Sequence, residues 1–325
     1  MKRVAAPLAA ALLASAALAA CGGSGAEPGA SNEATAATLV LDFQPNAVHA
    51  GIYAAEAAGY YKDAGVDLSI HQPSASTDAP KLLESGRAQF AILDIHDLGL
   101  AAEKGFDVVG VMPIVQRPLA SVLAQADISR PRDLEGKRVG VTGLPSDDAV
   151  LDSVVSADGG DPSKVDRVTI GFNAVSALAA GKVDAATAFW NAEGVTLQQQ
   201  GFPIREFRVD DYGAPKYPEL VLVTSSKLLS TGPNLVRHVV DATKHGYGDV
   251  VADPPSGLGA LLAAVQGLDR GEQQAELDAL TKAMAFSPPG TFDRSALDEW
   301  SRWDTAHGIL SRRANPGELF ALGVG

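Results

Sequence analysis

Cysteine is almost absent from this chain: one residue in 325 is Cys, at position 21. A single thiol cannot close an internal disulfide, build a Cys-based zinc site or form a CxxC redox pair. Histidine is sparse as well. The six His show no HxxxH spacing, which removes the usual helical zinc motif. Basic residues are outnumbered, with 26 Lys and Arg against 39 Asp and Glu and a net charge of −13. That balance offers no positive footprint for nucleic acid or for an anionic lipid surface. Neither the GxSxG elbow of serine hydrolases nor the GxxxxGK[ST] phosphate loop occurs. Aromatic residues make up 6% of the chain and include three Trp, so the place of each aromatic side chain carries information.

What is present begins with Lys2 and Arg3, followed by an apolar run from Val4 to Ala20 and then Cys21 and Gly22. This arrangement resembles a bacterial lipoprotein signal peptide with its lipobox. The resemblance implies a signal peptide over 1–20 and lipidation of Cys21 as the first mature residue. It also implies an extracytoplasmic protein, lipid-anchored on the periplasmic side of the cell membrane. One lipidated residue attaches a chain to a membrane without spanning it. Residues 21–37 are rich in Gly, Ser, Ala and Glu without periodicity and read as a flexible tether. The remainder is long enough for two lobes.

From Thr38 short apolar strands alternate with helical segments. Leu39 to Leu41 reads as a strand, His49 to Ala58 as a helix stopped by Gly59, and Val66, Leu68 and Ile70 as an alternating strand. Phe90 to Leu93 and Val108 to Met112 continue the pattern, with Asp97 to Lys104 helical between them. A second run of the same kind has strands at Val139 to Val141, Val165 to Ile170 and Ala185 to Phe189, and a helix capped by Ser146. The C-terminal third turns helical, punctuated by Pro254, Pro255, Pro288 and Pro289. This order predicts an α/β protein with mostly parallel sheets and helices on both faces. The expected plan is lobe 1 from 38–120 plus 222–325 and lobe 2 from 121–221. The chain is expected to cross near Ser121 to Ala126 and near Tyr217 to Val223.

Lys81 to Leu93 and Ser176 to Ala188 form a weak repeat in which Gly86 aligns with Gly181 and Arg87 with Lys182. Any helix, glycine cap and buried strand looks like this, and so do two similar lobes facing one cleft. Ligands in open α/β sheets bind outside the carboxyl ends of strands. Those ends are Asp94 to His96 in one copy and Phe189 to Glu193 in the other.

The segments LDFQPNAVHAGIYAA (Leu41 to Ala55), GYYKDAGVDL (Gly59 to Leu68), DLEGKRVGV (Asp133 to Val141) and GLPSDDAVL (Gly143 to Leu151) carry a resemblance. They are similar to the thiamine-pyrimidine-precursor-binding proteins of ABC importers, within a broader group of riboflavin-, sulfonate- and nitrate-type binding proteins. The resemblance covers roughly Leu39 to Val223, and the Pro45 to Gly51 element is its more specific part. It implies a type II periplasmic-binding-protein fold, two lobes with a hinge and a ligand cleft. It further implies a monomer that delivers a small molecule to permease and ATPase subunits.

The candidate ligand residues are Asp42, Phe43, Asn46, His49, Asp94, His96, Ser146, Trp190, Asn191, Glu193 and Tyr217. Each also has a plain structural reading. Asn46 can fix its own turn, His49 can pack at a helix start, Ser146 can cap a helix, and Trp190 can fill a core. Trp190 with Asn191 and Glu193 pairs an aromatic plane with an amide and a carboxylate, which suits a flat hydrogen-bonding heterocycle. Arg117 is the one basic side chain considered nearby. Carboxylates in a cleft need donors opposite them. The expected ligand is therefore a neutral or cationic heteroaromatic such as an aminopyrimidine precursor of thiamine, with a flavin next. No catalysis, cofactor, metal or nucleic acid is expected. The rival class is an enzyme like the fungal pyrimidine-precursor synthases, which use a Cys-rich motif; this chain has no Cys after Cys21.

Overall fold

The computed structural model describes residues 34–75 and 78–324. The expected signal peptide and Cys21 lie outside them. Ten strands occur among the described residues: β1 Thr35–Val40, β2 Val66–His71, β3 Phe90–Asp94, β4 Val109–Pro113, β5 Ala120–Gln125, β6 Arg138–Val141, β7 Asp166–Thr169, β8 Ala185–Phe189, β9 Ile204–Arg208 and β10 Leu220–Thr224. They form two five-stranded sheets, ordered β2-β1-β3-β10-β4 and β7-β6-β8-β5-β9. Each sheet is parallel except at one strand. β10 runs antiparallel to β3 and β4, and β5 runs antiparallel to β8 and β9. The protein is thus α/β with two mixed sheets, and the two orders are the same pattern built twice.

The weak repeat has a structural meaning. β3 and β8 occupy the third place of their sheets. Each follows a short helix, Asp78–Glu84 or Ala174–Ala179, and a left-handed glycine, Gly86 (φ 69°) or Gly181 (φ 62°). Glycine takes that conformation without the Cβ clash that other residues meet. Both strands therefore end at corresponding points of the two lobes.

β1 begins at Thr35, pairing with Val66, so the last residues assigned to the tether are sheet. Two sequence-level expectations move further. The crossing expected near Ser121 to Ala126 falls on β5, which lies inside the second sheet. The chain crosses earlier, over 114–119, and returns over 209–219. Ser146 lies in the first turn of helix Pro145–Ala157 and not at its cap: Leu144 holds that position and no side chain caps it.

Interior strands are buried on both faces and read as continuous apolar runs, FAIL in β3 and LVLV in β10. The edge strand β2 alternates buried and exposed positions instead. Helix Pro233–Ala252 covers the first sheet through Val236, Val239, Val240, Thr243, Tyr247 and Val250, a 3–4 residue spacing. Its Tyr247 hydroxyl donates to the Val48 carbonyl at 2.7 Å, tying it to the turn that follows β1. Helix Arg294–Ala306 places Trp300, Trp303 and Asp304 under the end of β3.

Candidate functional site

A cleft lies between the two sheets, with a cavity of about 110 Å³. From the first lobe it is lined by Asp42, Phe43 and Asn46 after β1 and by Asp94 and Asp97 at the end of β3. From the second lobe come Thr142, Ser146 and Asp147 after β6, Phe172 after β7, and Phe189, Asn191 and Glu193 at the end of β8. The carboxyl ends of β1, β3, β6 and β8 thus meet at one place, as open α/β sheets arrange their ligand sites.

The walls are acidic and aromatic. Asp42, Asp94, Asp97, Asp147 and Glu193 contribute five carboxyl groups, and no Lys, Arg or His lines the cleft among the described residues. Phe43 and Phe172 reach across from opposite lobes and meet edge to face with ring centroids 4.6 Å apart. Such pairs favour this geometry because the positive ring edge meets the negative face.

Each carboxyl group has its own local support. Asn46 caps a short 3-10 turn, its Oδ1 accepting from the Val48 N–H at 2.9 Å. The Asn46 N–H donates back to His49 Nδ1 at 3.2 Å. With Nδ1 accepting, the ring proton sits on Nε2 and goes to Asp42 Oδ1 at 2.9 Å. Asp94 caps helix Ile95–Glu103, accepting from the His96 N–H at 2.6 Å. Asp147 accepts from both the backbone N–H and the hydroxyl of Thr142. Glu193 accepts from the Phe189 N–H at 3.1 Å. Burial dominates their titration. It raises Asp94, Asp97 and Asp147 above the usual carboxylate range, and it carries Glu193 to about 7. Asp97 is pushed up further by Asp94 and then Asp147, the latter a carboxyl group of the facing lobe. Two acidic lobe surfaces facing each other without a cation leave room for a ligand that brings hydrogen-bond donors or positive charge.

Seven of the eleven sequence candidates meet in the cleft: Asp42, Phe43, Asn46, Asp94, Ser146, Asn191 and Glu193. Four do not line it. His49 is fully buried behind Asp42, which it orients. Trp190 packs into the core, donates its indole N–H to the Pro118 carbonyl at 3.1 Å, and lies under the Arg208 guanidinium at 4.2 Å. Arg117 points away as well, to Asp210 at 3.0 Å. His96 and Tyr217 are fully buried below the floor, their rings edge to face at 4.9 Å.

That buried layer is an ion cluster. Burial opposes a charged His96, but Asp304 and then Asp94 outweigh it and hold the imidazole up at about 10. His96 Nδ1 lies 2.9 Å from Asp304. Glu219, in the returning crossing, accepts from the backbone N–H groups of Leu119, which ends the outgoing one, and Ala120, which opens β5. A buried carboxylate therefore holds the two inter-lobe segments together. Asp94, His96 and Glu219 are the one group among the described residues whose donor atoms lie close enough, within 4.8 Å, to be considered for a cation. A metal would first have to displace the proton that the surrounding carboxylates keep on His96, so the set reads as a compensated ion cluster.

Sequence reasoning missed Asp97, Thr142, Asp147, Phe172, Phe189 and Glu219 as functional or supporting residues. Phe189 opens one strand end already singled out and Asp97 adjoins the other, so both could have been found. Phe172 sits in a loop whose aim no local pattern gives.

The fold and cleft define the class: a two-lobed protein of the periplasmic-binding-protein fold. Among solved structures it is similar to the alkanesulfonate-binding protein of Xanthomonas axonopodis pv. citri, with TM-score 0.70 and 16% identity over 89% of this chain and 98% of that one. The nitrate-binding protein of Synechocystis PCC 6803 gives 0.69 and 10% identity over 90% and 87%. The model of the NMT1/THI5 like family matches residues 46–256, and the chain belongs to that family. A formylaminopyrimidine-binding protein of Halalkalibacterium halodurans is 31% identical over 87% of this chain and 88% of its own. A 4-amino-5-hydroxymethyl-2-methylpyrimidine phosphate synthase of Saccharomyces cerevisiae is 27% identical over 67% of each.

Proposed function

We propose that the protein is the extracytoplasmic solute-binding component of an ABC importer, and that it takes a small, flat, neutral or cationic heteroaromatic of the thiamine pyrimidine-precursor type. The observation that carries this reading is the cleft wall: five carboxyl groups, three phenyl rings and no basic side chain among its described residues. Ionised carboxyl groups accept N–H donors, and those that burial keeps protonated can donate to a ring nitrogen, so a heterocycle with both kinds of edge group fits this wall. The phenyl rings of Phe43, Phe172 and Phe189 supply apolar faces for a ring. A sulfonate or nitrate would add negative charge to an acidic, partly dry site, at several kcal/mol without a compensating cation. The formylaminopyrimidine-binding relative, aligned over most of both chains, supports a pyrimidine.

The relatives named as synthases raise an enzyme reading. Their product carries a phosphate, and phosphate recognition draws on Arg, Lys or clustered N–H donors. This cleft offers neither of those side chains, so binding without turnover fits better. On the proposed account Cys21 carries the lipid anchor, the monomer closes over its ligand, and the closed form engages permease and ATPase subunits. The test is mass spectrometry of ligand carried through gentle purification. An unmodified aminopyrimidine or related heteroaromatic supports the reading. A bound sulfonate, or conversion of an added pyrimidine, contradicts it.

A further inference from the structure

Asn191 stands out among the polar side chains of the cleft. It is fully buried and lines the cleft, yet neither its Nδ2 nor its Oδ1 has a hydrogen-bond partner among the described residues. Its neighbours in sequence are all engaged. The Trp190 N–H goes to the Leu119 carbonyl, the Ala192 N–H to the Phe189 carbonyl, and the Glu193 carboxylate accepts from the Phe189 N–H. The hydroxyls on the wall are already engaged, Ser146 with Asp97 of the facing lobe among them. Ser121 donates to the Ala188 carbonyl, Thr187 to the Gly140 carbonyl and Thr142 to Asp147. Asn46 spends its amide oxygen on the Val48 N–H. A buried amide left unpaired at both ends opposes folding, and native structures keep such groups where something outside the chain completes them.

A carboxamide holds a donor and an acceptor side by side in one plane. That is the complement of a ring nitrogen next to an exocyclic amino group, the edge that Asn reads on adenine with two parallel hydrogen bonds. An ionised carboxyl group takes only N–H donors from a ligand, whereas a carboxamide offers a donor and an acceptor together at any pH. We infer that Asn191 sets the ligand's specificity by reading a ring nitrogen and its adjacent amino group as a pair, leaving the second amino hydrogen for a carboxylate. This rests on the pyrimidine reading above and adds which edge is recognised and by which residue.

The test is a cycle of calorimetric titrations. Wild type, Asn191→Leu and Asn191→Ser are each titrated with 4-amino-5-hydroxymethyl-2-methylpyrimidine and with its analogue lacking the amino group. The expected result is that Asn191→Leu binds the amino compound at least tenfold more weakly, about 1.4 kcal/mol. The analogue, already weak on wild type, changes by less than about threefold. The ligand-free variants should melt within about 2 °C of wild type or above it, since an unpaired amide gives nothing to the empty fold. An equal loss for both ligands, unchanged binding of the amino compound, or a fall of more than about 5 °C in ligand-free melting for both variants would overturn the inference while leaving the pyrimidine reading intact. Failure of wild type to bind either pyrimidine would overturn both.

Discussion

Helices Ala50–Ala57 and Pro233–Ala252 cross at two glycines, and the closeness of that crossing can be tested by adding one methyl group. A Cβ on Gly246 would stand 2.1 Å from the Gly51 carbonyl oxygen and 2.7 Å from both the backbone N and Cβ of Ala55. The obstacle is backbone, so no rotamer change relieves it and the helices must separate. Overpacking costs about 1–3 kcal/mol, and the upper end applies where backbone is struck. The better helix propensity of Ala offsets roughly 0.8–1 kcal/mol of it, leaving a net loss of about 2 kcal/mol. Gly248, two residues on, has nothing within 4 Å of an added Cβ, so Gly248→Ala keeps the propensity gain alone. At roughly 2–4 °C per kcal/mol, Gly246→Ala should melt about 4–8 °C below wild type and Gly248→Ala about 2–4 °C above it. Thermal unfolding followed by circular dichroism, without ligand and at one pH, reads both. Gly246→Ala should also weaken ligand binding, because the first helix carries the turn that places Asn46 and orients Asp42 through His49. A Gly246→Ala protein that melts at or above wild type would refute the packing argument.

Glu193 loses its proton near pH 7 in the empty cleft, and a ligand N–H needs the carboxylate form. Affinity for a neutral formylaminopyrimidine should therefore fall roughly tenfold from pH 8 to pH 6, and Glu193→Gln should flatten the profile; a flat wild-type profile in calorimetry would count against a role for Glu193. Burial lifts Glu276 to about 8 from its ordinary 4.5, so the folded state holds a proton that the unfolded chain releases in between. Stability from this group is present below about pH 4.5 and is lost as pH rises towards 8; Glu276→Gln should make melting temperature less pH-dependent there, and an unchanged slope would contradict the assignment. Trp190→Ala should lower stability by about 3–5 kcal/mol through lost core packing and lost contact with Arg208. Urea unfolding checks this, and a loss below 1 kcal/mol would place the ring elsewhere.

The comparison between sequence and structure divides along physical lines. Local signals held: Gly59, Gly86 and Gly181 stop their segments in left-handed conformations, and Pro233 opens its helix. The crossings expected near Ser121 to Ala126 and Tyr217 to Val223 overlap β5 and β10 instead, because each of these strands pairs antiparallel with strands from distant sequence and no local periodicity reports a partner. Both strand ends line the cleft, but neighbouring side chains there point in different directions. Asp94 faces the cleft while His96 turns under it towards Asp304, and Asn191 faces the cleft while Trp190 turns into the core. Residue type alone favoured Trp190 as the aromatic wall. Position gave that wall to Phe43, Phe172 and Phe189 instead.

The central claim is that the acidic cleft selects a hydrogen-bond-donating heteroaromatic over an anion. Isothermal calorimetry of the whole chain against a formylaminopyrimidine, 4-amino-5-hydroxymethyl-2-methylpyrimidine, riboflavin, an alkanesulfonate and nitrate tests it most directly. The account predicts an aminopyrimidine bound at least a hundredfold, about 2.7 kcal/mol, more tightly than either anion. Tighter binding of the sulfonate or of nitrate would contradict it.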